Sequence, residues 1–351
     1  MHMADALISP AVGGTMWAVS GGLIALCARK VKQSTRDNLV PLMGVLGAFI
    51  FAAQMVNFSI PGTGSSGHLG GGLILTVLLG PYAALLVIAS VLTVQAFFFA
   101  DGGLLALGCN IFNLGFFPAF VAYPFVYRTV TDARGGAIRD WGAALGAAVV
   151  GLLLGAFGVV LETKASGISE LPFGAFAALM LPIHLAIGLV EGIATVAVVS
   201  FVARARPEAL YAAQESGVSN GRRPVLAGLV AVAVLLGGAG SWFASTRPDG
   251  LEWSIAKVSG KEELAGADAG IHGELAKIQG KTAVLPDYGF KPSGAEEGEA
   301  EAEAGVWPAV SAATSLSGFV GVLMTVALVC FTGVVLKGSL ARKAKEGRSE
   351  A

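Results

Sequence analysis

Charge is the scarce ingredient of this chain. Asp, Glu, Lys and Arg make up 13% of its 351 residues and 54% are hydrophobic; soluble domains carry about 25% charged residues. That excludes a soluble globular protein and places the chain in a membrane. Net charge is −1, and no basic arm or aromatic–basic interleaving points to nucleic acid. Cysteine is scarce too. Cys27, Cys109 and Cys330 lie far apart in apolar runs without a C-x-x-C, which excludes a disulfide framework and a thiolate metal site and leaves small buried residues. No basic stretch precedes the first apolar run, so the opening residues are not read as a signal peptide. A working phosphate loop is also missing. Gly62 to Gly67 begins like one, but His68 stands where lysine is required and Leu69 where Ser or Thr is required, so no ATPase of its own is expected. The same glycines match a dinucleotide fingerprint, rejected because no strand precedes them. No nucleophile–base pair is visible, so the chain is not read as an enzyme.

What is abundant is apolar sequence, in runs near the roughly 20 residues a membrane helix needs. The runs cover 11–28, 39–56, 82–100, 104–127, 141–161, 173–203, 225–244 and 309–336, with a shorter Gly-rich span at 70–80 ending at Pro81. The expected fold is an all-α integral membrane protein: a bundle of about seven transmembrane helices, then a two-helix C-terminal unit with an extracytoplasmic segment. Basic residues set the orientation. Sixteen of the 23 Lys and Arg fall within Arg29–Arg36, Arg128–Arg139, Arg204–Arg223 and Lys337–Arg348. These share one side if the N-terminus lies outside and the C-terminus inside. The domains expected are 1–204, a cytoplasmic linker 205–224, and 225–351 with its outer segment 245–308. In that segment Arg247-Pro248-Asp249-Gly250 reads as a turn. Leu251, Ile255 and Val258, with Trp253 nearby, read as a short helix on the membrane surface. His272 reads as solvated, and Glu296–Glu303 as a disordered spacer.

The first residues carry the most pointed chemistry. The free amine of Met1, the amide nitrogen joining Met1 to His2, and the His2 imidazole can close adjacent chelate rings on one ion. Displacing the amide proton favours Ni(II) or Cu(II) in tetragonal nitrogen geometry. That supplies three nitrogens, and one further imidazole would complete a square. His68, on the small-residue loop Pro61–Gly72, is the candidate, with a solvated loop histidine as the bland alternative. Asp5, Gln54 and Asn57 are polar groups on the same side that would orient these ligands from behind. His184 and Glu191 lie two turns apart on one face of an apolar helix. Ionisable groups there face the bundle interior, either as a pair tuning or gating the site or as an internal brace. Asp101-Gly102-Gly103 reads as a tight turn. Asn110 and Asn113 are expected to bond across helices, and Gly151-x-x-x-Gly155 to allow close helix packing.

Met1-His2-Met3-Ala4-Asp5, Pro61-Gly62-Thr63-Gly64-Ser65-Ser66-Gly67-His68, Gly80-Pro81, Asp101-Gly102-Gly103-Leu104, Asn110-Ile111-Phe112-Asn113, and His184 with Gly188 and Glu191-Gly192 resemble the CbiM/NikM family. These are substrate-capture (S) components of energy-coupling-factor transporters for cobalt and nickel. The resemblance covers residues 1 to about 204. Pro248-Asp249-Gly250-Leu251-Glu252 resembles the PDGLE segment of the NikN-like accessory subunit, which is sometimes fused to the capture component. The family implies a metal held by the Met1 amine, the His2 amide and imidazole, and the imidazole of His68. It implies Ni(II) or Co(II) as transported substrate, with no resident cofactor. It also implies a separate transmembrane coupling (T) subunit and two cytoplasmic ATPase (A) subunits as partners, in a bacterial inner membrane. A stand-alone, ion-gradient-driven cation transporter is the alternative of a different class.

Overall fold

In hydrocarbon every backbone polar group has to be satisfied within the chain, so long apolar runs fold as helices. The computed structural model describes residues 1–34, 39–131, 137–205, 211, 223–261, 264, 266, 269–291 and 307–349. In chain order the helices are α1 (Pro10–Lys32), α2 (Leu39–Gln54), α3 (Gly72–Leu79), α4 (Pro81–Phe99), α5 (Leu107–Thr131), α6 (Ala137–Ser166), α7 (Phe173–Ala205), α8 (Arg223–Gly238), α9 (Gly250–Ser259), α10 (Gly270–Thr282) and α11 (Ala312–Ser349). Of these α1, α4, α5, α6, α7 and α11 are long and apolar enough to cross a membrane, while α2 and α8 are shorter apolar helices. The chain is a multi-pass, predominantly helical membrane protein. A two-stranded ribbon, β1 (Phe58–Ser59) and β2 (Ser66–Gly67), pairs Phe58 with Gly67 antiparallel.

Of the six long helices α4 is the most buried, at 78% over its apolar stretch against 17% for α1. α1 opens with Ser9 as its cap, the hydroxyl accepting from the Val12 amide, and Pro10 in the first turn, where proline's missing N–H costs nothing. α6 and α7 form a long hairpin packed on α5. Gly151 and Gly155 make the close approach expected of them, since a Cβ on either would press into the α5 backbone at Pro118 or Asn113. α8 and α11 pack on each other and along α2. A Cβ on Gly318 of α11 would collide with the Gly237 carbonyl of α8, and one on Gly321 with the Phe51 ring of α2.

Three expectations are corrected here. The short span at 70–80 is helical only over the eight residues of α3, about 12 Å at 1.5 Å per residue. On either side of α3 the chain meets Glu191 at Gly70 and the Tyr211 ring at Gly80. The helix of Leu251 and Ile255 exists as α9, but it packs against α7 with both side chains buried in protein. Its apolar stripe is therefore covered by the bundle and not by a membrane surface. His272 is not simply solvated: its Nε2–H donates to the Ile8 carbonyl at 2.8 Å. The acidic run Glu296–Glu303 lies outside the described residues, as does the linker 205–224 apart from Ala205, Tyr211, and 223–224 at the start of α8.

Candidate functional site

The N-terminal segment is threaded into the bundle by its own side chains. Met1, Met3, Leu7 and Ile8 are buried. Main-chain bonds fix the thread: Met3 N–H donates to Asn110 Oδ1 at 2.8 Å, while its carbonyl accepts from Asn110 Nδ2 at 3.2 Å and from the Gly103 amide at 2.8 Å. Asp5 accepts the Ala106 amide at 2.9 Å. Burial raises the Asp5 carboxyl, with the amides of Ala106 and its neighbours opposing. Gly103 is required where it stands, because a Cβ there would overlap the Asp5 carboxylate.

This threading brings Met1, His2 and His68 together. The Met1 ammonium donates to His68 Nε2 at 2.9 Å. His68 Nδ1 sits 3.1 Å from the Leu69 carbonyl, which can only accept, so the proton is on Nδ1 and the Nε2 lone pair faces the amine. The His2 ring stacks on the His68 ring, centroids 4.9 Å apart and planes within 4°. Burial, and then the neighbouring ammonium and His2, push the His68 imidazole down to about 3. It is therefore neutral near pH 7, the form that binds metals. His2 Nδ1 meets Asp101 Oδ1 at 2.9 Å, and the Tyr288 hydroxyl donates to Asp101 Oδ2 at 2.5 Å. Burial alone would raise the Asp101 carboxyl, but His2 and the Tyr288 bond hold it below the ordinary carboxylate range. His2 Nε2 is buried without a hydrogen-bond partner. Among the described residues no three His, Cys, Asp or Glu side chains gather closely enough to hold an ion. An ion bound here would therefore need main-chain nitrogen as well.

The loop that carries His68 is clamped from inside the bundle. Glu191 accepts the Gly70 amide at 2.9 Å and the Gly71 amide at 3.0 Å. Gln54 donates to the Gly70 carbonyl at 2.9 Å and accepts from Gln95 at 2.9 Å. His184 and Glu191 share a buried face of α7 but do not bond to each other. His184 Nδ1–H donates to the Met180 carbonyl at 2.8 Å, and its Nε2 is buried without a partner. His184 lines a small cavity with Met1, His68, Leu114, Ile187 and Asp249. Its volume of about 10 Å³ suits about one water-sized occupant. Asn57 lies away from this cavity and is tied by its carbonyl to the Ser245 amide at 2.7 Å.

From the other side the loop is covered by residues 245–253. The Ser66 amide donates to the Pro248 carbonyl at 2.8 Å, and its hydroxyl to the Arg247 carbonyl at 2.8 Å. Trp253 Nε1 donates to the Thr63 carbonyl at 3.0 Å. Asp249 caps α9: Oδ1 accepts the Leu251 and Glu252 amides at 2.8 and 2.9 Å, and Glu252 accepts the Asp249 amide at 2.8 Å. Its other oxygen, Oδ2, lies 2.5 Å from the Met1 amine. Burial would raise the Asp249 carboxyl, but the ammonium and His68 hold it below the usual range.

The profile described as the cobalt uptake substrate-specific transmembrane region, CbiM, matches residues 2–209. The chain belongs to the CbiM family. A second profile, the PDGLE domain, matches residues 223–338, so the CbiM region is followed in the same chain by a NikN-like one. The chain is 37% identical over 239 residues to a putative fused nickel transport protein NikMN of Archaeoglobus fulgidus, covering 67% of this chain and 76% of that one. It is 31% identical over 315 residues to a fused nickel transport protein NikMN of Rhodobacter capsulatus, covering 82% and 88%. A crystal structure described as a transition metal transporter superposes with a TM-score of 0.52 at 29% identity, over 58% of this chain and 93% of that one.

Within this CbiM-family chain, two carboxylates at the site go unnoticed in sequence reasoning. Asp101 looked like a turn residue, and Gly102 beside it does adopt a positive φ of 84°. Asp249 looked like a turn too. Asp249 with Glu252 three residues on is the signature of a capping box, but nothing local announces that the second oxygen reaches Met1. Glu162 is buried, as Glu191 is, and accepts from Asn113 Nδ2 at 2.7 Å.

Proposed function

We propose that this CbiM-family membrane component captures Ni(II) for an ATP-driven energy-coupling-factor importer, with Co(II) as the alternative cargo. The ion is held by the Met1 amine, the Met1–His2 amide nitrogen, the His2 imidazole and His68 Nε2. The observation that carries this reading is the Met1 amine 2.9 Å from a neutral His68 Nε2, with the His2 ring stacked on His68. Amine and amide close a five-membered ring on the ion, and amide and His2 Nδ1 a six-membered one. Nδ1 is engaged by Asp101, so loading turns the ring about Cβ–Cγ and exchanges that bond for the cation. The ammonium and amide protons leave to solvent as the ion binds, which makes affinity rise with pH. Asp5 and Gln54 hold the terminus and the loop in register from behind. Glu191 ties the His68 loop to α7, so a shift of α7 moves a ligand. His184 presents an imidazole nitrogen to the cavity wall.

The N-terminus and the site face the outside of a bacterial cytoplasmic membrane. A T subunit and two cytoplasmic A subunits supply the motion, since this chain has no phosphate loop. A stand-alone ion-gradient transporter would need a relay of free carboxylates, whereas both oxygens of Glu191 are taken by loop amides and Glu162 is bonded to Asn113.

One residue added before Met1 displaces the amine while leaving the membrane-spanning helices in place. The extended protein should insert and fold but purify without nickel. Full metal content in such a variant, measured by elemental analysis, would refute the amine-ligand reading. Competition between Ni(II) and Co(II) on the wild type decides the cargo, and loss of vesicle uptake without the partner subunits tests the coupling.

A further inference from the structure

We propose that Asp249 is the accessory region's own contribution to the cation site: its carboxylate latches the Met1 amine over the cavity and stays beside the bound cation as its negative neighbour. This rests on reading the terminus as a ligand set. The geometry supplies the first argument. Asp249 Oδ2 lies 2.5 Å from the Met1 nitrogen and 3.9 Å from His68 Nε2, on the wall of the cavity that Met1 and His68 also line.

The second argument is rigidity. Oδ1 is committed to the first amides of α9, and the preceding carbonyls are bonded to Ser66. The next residue, Gly250, is pressed so closely on α7 that a Cβ would stand 3.0 Å from His184 Cε1. The carboxylate is thus fixed in position over the site before any ion arrives.

Charge is the third. An amine, one deprotonated amide and two neutral imidazoles leave a divalent ion with a single net positive charge in a buried cavity, and an uncompensated buried charge is costly. Asp101 gives up its His2 bond on loading but keeps the Tyr288 hydroxyl, and no contact joins it to the Met1 amine. Asp249 is the carboxylate that touches the amine itself. The accessory region therefore acts as part of the site as well as its cover, and its seating depends on where the first nitrogen of the chain stands.

The test uses the full chain. Asp249→Asn keeps the side-chain oxygen that caps α9 and removes the charge. Glu252→Gln weakens the same capping box at a residue that does not line the cavity. In Ni(II) titrations of purified protein, Asp249→Asn should weaken binding by about 10–100-fold, the usual effect of removing a ligand's supporting partner, while Glu252→Gln stays near wild type. Unchanged affinity in Asp249→Asn, or equal losses in both variants, would overturn the proposal. A second measurement covers a variant that fails to fold. In metal-free protein, one residue added before Met1 should speed amide exchange over residues 247–259, and unchanged protection there overturns the latch. The exchange result does not depend on whether nickel binds. Failure of the wild type to bind nickel would instead sink the reading of the terminus and leave the latch standing.

Discussion

The His68 loop lies between two carboxylates, and the two segments that carry them hold it in different ways. Below the loop, Glu191 is 1% exposed and gives one oxygen to each of two consecutive neutral amides, those of Gly70 and Gly71. Above it, Asp249 splits its oxygens between a helix cap and the charged end of the chain 248 residues away. Glu191 repairs a backbone defect: Gly70 and Gly71 lie just before α3, Gly71 in the left-handed region at φ 76°, and no preceding turn supplies carbonyls for their N–H groups. Asp249 neutralises a charge. An ionisable residue inside an apolar helix need not signal transport chemistry, since it can stand in for a missing stretch of helix.

The strongest way to break this comparison is to remove the lower grip. Glu191→Ala leaves two buried amides without acceptors, each at about 1–3 kcal/mol. Folded protein recovered in detergent should fall sharply, and Glu191→Gln, which retains one acceptor oxygen, should fall less. Equal thermal stability of the two variants would remove the amide-clamp role.

An intermediate effect should come from pH. Burial holds folded His68 near 3, against an ordinary value of 6.5. Between those values the unfolded chain binds a proton that the folded chain refuses, so stability rises with pH across the window and declines on acidification from 6.5 toward 3. The melting temperature of metal-free protein should follow that slope, and His68→Gln should flatten it. A slope unchanged by the substitution would place the titration elsewhere.

The smallest effect concerns the upper cover. Trp253→Phe deletes the bond to the Thr63 carbonyl at a net cost of about 0.5–1.5 kcal/mol. Amide exchange should quicken over residues 60–66 while the protection of Gly70 and Gly71 holds. Faster exchange at both places would mean the two grips are one cooperative unit.

Sequence alone locates the helices well, because a membrane span is a local property: length and hydropathy suffice to place α4, α5, α6 and α7. It brings forward Met1, His2 and His68 because amine, amide and imidazole are adjacent by covalent structure and histidines are few. It fails where the deciding contact is distant. Asp249 and Asp101 carry turn chemistry that is real, and their second roles depend on partners that no periodicity links to them. α9 was legible as a helix, but an apolar stripe looks the same whether lipid or protein covers it. His272 was misplaced for the same reason, since the carbonyl it meets belongs to Ile8.

The ion pair between the first residue and Asp249 also imposes an order on biosynthesis. Met1 is translated 248 residues before this counter-charge, which follows α1 to α8 in the chain. Until then the opening residues must wait at the membrane without their latch, so a chain interrupted before residue 249 cannot assemble this pocket in full.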